Sequence, residues 1–120
     1  MRLRKDTINY LESELRNYKY MYRDIERLNN KIIYPAQFKE KATLKNKQLK
    51  QLNKMKEAIE SVYKTYSFDD RQFMEKYYFN NSEKLNFSGV AFKTNISKST
   101  TYNLRNNILI SLSDELGILH

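Results

Sequence analysis

Cysteine is absent from this 120-residue sequence, and glycine and proline are scarce, with two glycines and one proline. The absence of cysteine excludes disulfide bonds and cysteine-ligated metal sites. Sheet proteins and loop-rich enzymes use glycine and proline at their turns, so the scarcity of both favours long helices. The sequence also lacks the run of roughly 18 to 20 apolar residues that a membrane span requires, and its charged N-terminus does not resemble a secretory signal. We therefore expect an all-α protein in the cytoplasm that does not enter the membrane.

Groups that could support catalysis are also rare. The single histidine, His120, is the last residue, and no glycine-rich phosphate loop or nucleophile–base pair is present. Two pairs of carboxylates, Asp69-Asp70 and Asp114-Glu115, lie near expected helix ends, where the first pair would stabilise a helix dipole. We expect no enzymatic activity, no metal site and no cofactor.

The charge is strongly positive, at +8, and this favours a polyanionic partner such as DNA. Its distribution is more informative than its size. Residues 84–107 contain four basic side chains and no acidic one, whereas acidic residues lie on both sides of this segment. This sorting predicts a locally positive face on an otherwise neutral C-terminal region.

The N-terminal half has the periodicity of two long helices. The first is expected to begin near Asp6, and its first apolar residues repeat with alternating spacings of three and four, as in a heptad seam: Ile8, Leu11, Leu15, Tyr18, Tyr22 and Ile25, followed by Leu28, Ile32 and Ile33. Such a seam can pack within the chain or against a second copy, and the sequence leaves both open. Pro35 ends this segment, and residues 34–43 are expected to form a connection.

A second helix is predicted from about Leu44 to Thr65. Its expected buried stripe consists of Leu52, Met55, Ile59, Val62 and Tyr66. Its first half, within the lysine-rich segment 39–56, is crowded with basic residues. These lysines are interpreted as solvated surface, with contact to phosphates outside the main site as the alternative.

Shorter helices follow. We expect one from a cap at Asp69 to about Tyr78, a break at residues 80–82, and helices at roughly 86–94 and 98–116, the last ending at Gly117. The expected organisation is therefore a long helical hairpin, residues 1–66, that serves packing, dimerisation or partner contact, followed by a DNA-binding region, residues 67–120.

Residues 87–108 fit a helix-turn-helix. A small residue lies where two helices would cross, an asparagine falls at the turn where a positive φ is needed, and apolar residues point inward on both sides. The residues assigned to the core of this motif are Val90, Ala91, Asn95, Ile96, Leu104 and Ile108. Thr101 departs from the usual apolar residue at its position, and its hydroxyl is expected to bond back to a carbonyl.

The second helix of this motif would present a polar face to DNA. Asparagine can pair with adenine, whereas serine, lysine and tyrosine can contact base edges, phosphates or a thymine methyl. The predicted base-reading residues are Ser97, Lys98, Ser99, Tyr102, Asn103 and Asn106. The predicted phosphate contacts are Lys84, Lys93 and Arg105. Spacing alone leaves an ordinary helical hairpin as the alternative.

Several runs resemble one family. They are Arg71-Gln-Phe-Met-Glu-Lys-Tyr-Tyr-Phe, Asn95-Ile-Ser-Lys-Ser-Thr-Thr-Tyr and Leu112-Ser-Asp-Glu-Leu-Gly, together with Thr7-Ile-Asn-Tyr-Leu-Glu-Ser-Glu-Leu near the N-terminus. In order and spacing they resemble phage late-gene transcriptional regulators of the RinA/ArpU type. The resemblance implies a helix-turn-helix like region 4 of bacterial sigma factors, with promoter recognition by residues 97–106 and activation of late phage operons.

The sequence therefore predicts a sequence-specific regulator, expected to be an activator of phage late genes, that binds double-stranded DNA without a cofactor. RNA polymerase and a second copy of the chain are the protein partners considered for the N-terminal helices. One alternative is a DNA-packaging subunit similar to small terminases, which would form rings of about eight or more copies. Another is a protein-interaction module such as an antirepressor, which would not bind DNA.

Overall fold

The computed structural model describes residues 3–31 and 38–118. All secondary-structure elements in these ranges are helical, which confirms the predicted all-α class. The α-helices are α1 (Lys5–Asn29), α2 (Phe38–Thr65), α3 (Phe68–Met74), α4 (Phe87–Lys93) and α5 (Lys98–Leu116), and α3 continues as a π-helical segment, Glu75–Phe79. None of the helices in the described ranges is long and apolar enough to cross a membrane.

Three helix starts differ from the sequence prediction. The N-cap of α1 is Arg4, so Asp6 lies inside the first turn. Helix α2 begins at Phe38 because the residues that follow are mostly good helix formers, and the predicted connection therefore shortens. Ser67, not Asp69, caps α3, since its hydroxyl accepts a hydrogen bond from the backbone N–H of Asp70 at 3.3 Å. Residues 32–37 lie outside the described ranges.

The three long helices form a bundle. Helices α1 and α2 are antiparallel, as shown by the hydroxyl of Tyr18, which donates to Glu60 at 3.0 Å, and by the bond from Lys45 Nζ to the carbonyl of Asn29 at 3.1 Å. Helix α5 lies antiparallel to the C-terminal half of α2, where the hydroxyl of Ser61 donates to Glu115 at 3.2 Å. Since α5 is shorter, the α1–α2 hairpin extends past its end, and the molecule measures 58 × 31 × 23 Å.

One hydrophobic core joins the predicted N-terminal and C-terminal regions. Its largest fully buried side chains are Leu11, Leu15, Met21, Ile59, Phe73, Met74, Val90, Ile108, Leu109 and Leu112. The heptad seam of α1 therefore packs within the chain over Leu11 and Leu15. Farther along α1, Met21 takes the buried position predicted for Tyr22, which is 61% exposed and reaches Glu60 through its hydroxyl.

Candidate nucleic-acid interface

Helices α4 and α5 form a two-helix unit joined by a tight turn. Asn86 caps α4 by accepting a hydrogen bond from the backbone N–H of Gly89 at 2.8 Å, and Val90 and Ala91 face the core. The turn contains Asn95 at a φ of 58°, the left-handed conformation that asparagine tolerates. Beyond it, the N–H of Ile96 donates to the carbonyl of Ala91 at 3.1 Å and closes the end of α4. The turn thus has the positive φ that was predicted at Asn95.

The inner face of α5 is anchored by apolar residues and one threonine. Leu104 and Ile108 are buried, and Ile96 is half-buried beneath the turn. Thr101 is fully buried, and its hydroxyl donates to the carbonyl of Ser97 at 2.9 Å. This bond satisfies the hydroxyl, which explains how a polar residue occupies a position that is usually apolar.

The outer face of α5 is polar. The side chains of Lys98, Ser99, Asn103 and Asn106 are exposed, and no hydrogen bond or ion pair ties the last two side chains to another described residue. The hydroxyl of Ser97 caps the helix, accepting from the backbone N–H of Thr100 at 3.2 Å and donating to its hydroxyl at 2.7 Å. Ser97 is therefore already occupied with starting the helix.

Tyr102 both packs and remains accessible. Its ring centroid lies 4.5 Å from that of Phe87, the first residue of α4, and the side chain is nevertheless 48% exposed. This contact holds the ring against α4 while one side of it faces solvent. A second aromatic, Phe92, is 85% exposed on α4 just before the turn, and the sequence analysis did not identify it.

The three predicted phosphate contacts occupy different environments. Lys84 is exposed and has a φ of 54°. Lys93 is exposed, and its Nζ lies 3.5 Å from a carboxylate oxygen of Glu83, a surface pair of little strength. Arg105 instead turns toward α1, where its Nε and Nη2 donate to the two carboxylate oxygens of Glu12 at 2.9 and 2.7 Å. Only the two lysines therefore offer a cation that is open to a ligand.

The Arg105–Glu12 pair is part of a buried network that joins α5 to α1 and the π-helical segment. Glu12 is 6% exposed, and it also accepts a hydrogen bond from the hydroxyl of Tyr78 at 2.7 Å. Tyr78 reaches this position from the π-helical segment, and its five-residue spacing from the buried Phe73 matches a π-helical turn. Helices α1 and α5 and the π-helical segment thus meet at one carboxylate.

The electrostatics favour an ionised Glu12. Burial raises the pKa of Glu12, but the hydrogen bonds from Arg105 and Tyr78 and the charges of Arg105 and Arg16 outweigh it, so the pKa lies below its usual value. Burial and the neighbouring Glu12 carboxylate raise the pKa of Tyr78 well above that of a free tyrosine. The network therefore consists of a carboxylate, a guanidinium and a neutral phenol at neutral pH.

The role of Glu12 was not predictable from local sequence patterns, because its partner Arg105 lies 93 residues away in the chain. A weak signal was present, since Glu12 lies four residues after Ile8 and three before Leu15 and so shares a face with both. A groove of about 700 Å³ lies elsewhere, between α1, α2 and the C-terminal end of α5. Among the residues that the structure describes, no group of three or more histidine, cysteine, aspartate or glutamate side chains could hold a metal ion.

Comparison with known proteins shows a similarity over nearly the whole chain. The chain is similar to the transcriptional activator RinA of Staphylococcus phage phi11, with 26% identity over 134 aligned positions that cover 96% of this chain and 94% of that protein. No family model and no solved structure matches the chain. The resemblance to RinA-type regulators that the sequence motifs indicated is confirmed by this match, which extends over almost the full length of both proteins.

Proposed function

We propose that this chain is a phage transcriptional regulator that recognises a specific DNA sequence with helix α5 and activates transcription. A role in phage transcription is supported by the similarity to RinA, a transcriptional activator, along nearly the whole chain. Sequence-specific binding is our extension of that similarity, and it rests on the arrangement of α4 and α5.

The observation that carries the proposal is the sharp division of α5 into two faces. Thr101, Leu104 and Ile108 are buried on one side, whereas Asn103 and Asn106 lie exposed on the other without partners among the described residues. Exposed asparagines on a rigid helix suit bidentate pairing with adenine in the major groove. A helix needs its inner face buried in this way to present the outer face at a fixed angle.

In the proposed complex the first turns of α5 enter the major groove. Lys98, Ser99, Tyr102, Asn103 and Asn106 contact base edges or adjacent phosphates. Lys84 and Lys93 bind the flanking backbone. The N-terminus of α5 adds unpaired backbone N–H groups and partial positive charge near a phosphate.

Arg105 receives a different role from the one that the sequence suggested. Because two of its N–H groups are held by the buried Glu12, we assign it to positioning α5 and not to phosphate binding. The angle between α5 and the rest of the protein then depends on α1. Contact with RNA polymerase and self-association are further proposals for the N-terminal helices.

The test is selection of bound fragments from the phage genome, followed by affinity measurements on the selected site and on scrambled DNA. We expect the selected site to bind about a thousandfold more tightly, as is usual for regulators. Asn103→Ala should reduce this preference by roughly tenfold to a hundredfold, corresponding to about 1–3 kcal/mol for one bidentate base contact. The control is Asn17→Ala, an exposed asparagine on α1 and therefore outside the proposed reading face.

Two results would contradict the proposal. One is equal binding to selected and scrambled DNA at every salt concentration. The other is an equal loss of preference in Asn103→Ala and Asn17→Ala, because the effect would then not be confined to the reading face. Activation is tested separately, by placing the selected site upstream of a reporter gene and measuring transcription with the wild-type chain and with Asn103→Ala.

A further inference from the structure

The positive charge of the protein is concentrated at one end of the molecule. We define the hairpin extension as residues 19–31 and 38–56, the part of α1 and α2 that projects toward their connection. It contains 11 basic and 3 acidic residues, a net charge of +8, whereas the other described residues contain 10 basic and 11 acidic ones. The excess charge of the chain therefore lies in the extension and not around the reading helix.

Within the extension, three lysines form a stripe on α2, and we call Lys47, Lys50 and Lys54 the lysine stripe. They are spaced by three and four residues, so they lie on one face of the helix. All three are exposed, and none makes a hydrogen bond or ion pair with another residue in the described ranges. Neighbouring cations behave differently, since Lys56 pairs with Glu60 at 3.2 Å.

We propose that the lysine stripe is a second DNA-binding surface, which contacts duplex phosphates about one helical turn away from the bases that α5 reads. This inference rests on the proposed function, because it assumes that α5 binds DNA. Tyr66 lies sixteen positions after Lys50, directly after the end of α2, and its hydroxyl is 3.5 Å from that of Ser111, which lies eight positions after Asn103 in α5. At 1.5 Å per residue these lengths add to about 36 Å along the bundle, close to one turn of B-DNA.

The chemistry of the stripe suits phosphates better than other partners. Lysine ammonium groups on flexible stems act as point charges, and a duplex presents one phosphate charge per about 1.7 Å of its axis. No acidic residue lies between Glu40 and Glu57 to repel such a ligand. A second copy of the chain at this face would bring two extensions of like charge together, which disfavours self-association there. An acidic protein surface is the competing partner, and the experiment separates it.

The test compares two triple variants that remove the same charge. One is K47Q/K50Q/K54Q in the lysine stripe, and the control is K5Q/K64Q/K76Q, three exposed lysines outside the extension and outside the reading face. The affinity of each for duplexes of about 12 and about 30 base pairs, both centred on the selected site, is measured across a salt series. The stripe lies about 36 Å from the bases that α5 reads, a length that corresponds to roughly ten base pairs of duplex. The short duplex ends before that point on either side of its centre, so it contacts α5 but not the stripe.

On the long duplex, the slope of log K against log salt concentration should be less steep for the stripe variant by up to about 2.7, because each phosphate contact contributes about 0.9 to its magnitude. Its affinity at about 0.1 M salt should fall by roughly tenfold to a hundredfold. On the short duplex the stripe variant should behave like the control. The preference for the selected site over scrambled DNA should persist, since phosphate contacts carry no sequence information directly.

An unchanged slope for the stripe variant on the long duplex, or an equal decrease in the control variant, would overturn the inference. An acidic protein surface would then be the remaining partner for the stripe. Failure of the proposed function has a different signature, namely no difference between selected and scrambled DNA for the wild-type chain. In that case the same series on a random duplex of about 30 base pairs still tests the stripe. An unchanged slope there would overturn it independently.

Discussion

The two ends of this molecule are built from the same long helices and differ in almost every physical property. At the bundle end, α5 packs on α1 and α2, the π-helical segment packs on α1, and Phe73 packs against three other aromatic rings. At the hairpin extension, α1 and α2 project past the end of α5, and apolar residues such as Leu28 and Leu52, which line the groove beside that end, are half-exposed. The bundle end is nearly neutral, and the extension carries the excess positive charge.

The bundle end thus contributes mainly to folding stability, whereas the extension contributes mainly to electrostatic attraction. The bundle end buries a continuous core and one ionic network, both of which orient α5, and it concentrates little charge. The extension contributes less buried surface but holds lysines where they do not repel the packed core. Under the proposed function, the bundle end would hold α5 at a fixed angle and the extension would attract DNA, because buried contacts act over a few ångströms and charge acts over about 10 Å.

The largest expected effect is on the core. Phe73→Ala should destabilise the protein by about 4 kcal/mol, since a large, fully buried ring would leave a cavity. Leu52→Ala, in the half-exposed part of α2, should cost about 1 kcal/mol, because the side chain is already partly hydrated. Chemical denaturation followed by helix content measures both changes. Equal losses would show that the extension is packed as firmly as the bundle end.

The second-largest effect on stability is expected in the buried network of Glu12, Arg105 and Tyr78. Glu12→Ala should cost about 3 kcal/mol at neutral pH, because it leaves the Arg105 guanidinium and the Tyr78 hydroxyl without their shared acceptor. The control is Glu26→Ala, on the exposed face of the same helix in the extension, where we expect a change below about 0.5 kcal/mol. Thermal unfolding of both variants and the wild type provides the comparison.

The same network should make stability depend on pH. The pKa of Glu12 is lower in the folded protein than in the unfolded chain, so its contribution is present above the unfolded value of about 4.3 and is lost as the pH falls through the folded value. Glu12→Gln should remove this part of the acid destabilisation. A wild-type unfolding curve with the same pH dependence as Glu12→Gln between about pH 5 and pH 2 would contradict the lowered pKa.

The turn should show a smaller effect with a clear sign. Asn95→Ala should destabilise by about 1 kcal/mol, because alanine is strained at a positive φ, whereas Asn95→Gly should retain or increase the stability. The DNA affinity of both variants should be measured as well, because the turn sets the angle between α4 and α5. Should alanine and glycine behave alike, the positive φ at Asn95 would not matter for folding.

The smallest expected effect on stability belongs to the lysine stripe. K47Q/K50Q/K54Q should change the free energy of unfolding by no more than about 0.5 kcal/mol, because the three side chains are exposed and unpaired. Combined with the expected loss of DNA affinity, this result would show that the extension acts through charge and the bundle end through packing. A large loss of stability in this variant would remove that distinction.

Local patterns in the sequence were sufficient for much of the fold. The scarcity of glycine and proline and the three-and-four spacing of apolar residues predicted long helices, and the buried stripe of α2 over Met55, Ile59 and Val62 follows that spacing. The turn at Asn95 and the end of α5 at Gly117, with a φ of 70°, were also predictable, since few residues adopt a positive φ without strain. In each case the physical cause lies within about one helical turn of the chain.

Only the tertiary structure determined which partners the residues meet when those partners are far away in the chain. Arg105 has the charge and position of a phosphate contact, yet it binds Glu12 because folding brings a residue 93 positions away within hydrogen-bonding distance. Likewise, the heptad spacing predicted Tyr22 for the core, and this was wrong because Met21 is buried there, which depends on how α1 is rotated against α2 and α5. Periodicity determines which residues share a face of a helix, but only the packing of the whole chain determines what that face meets.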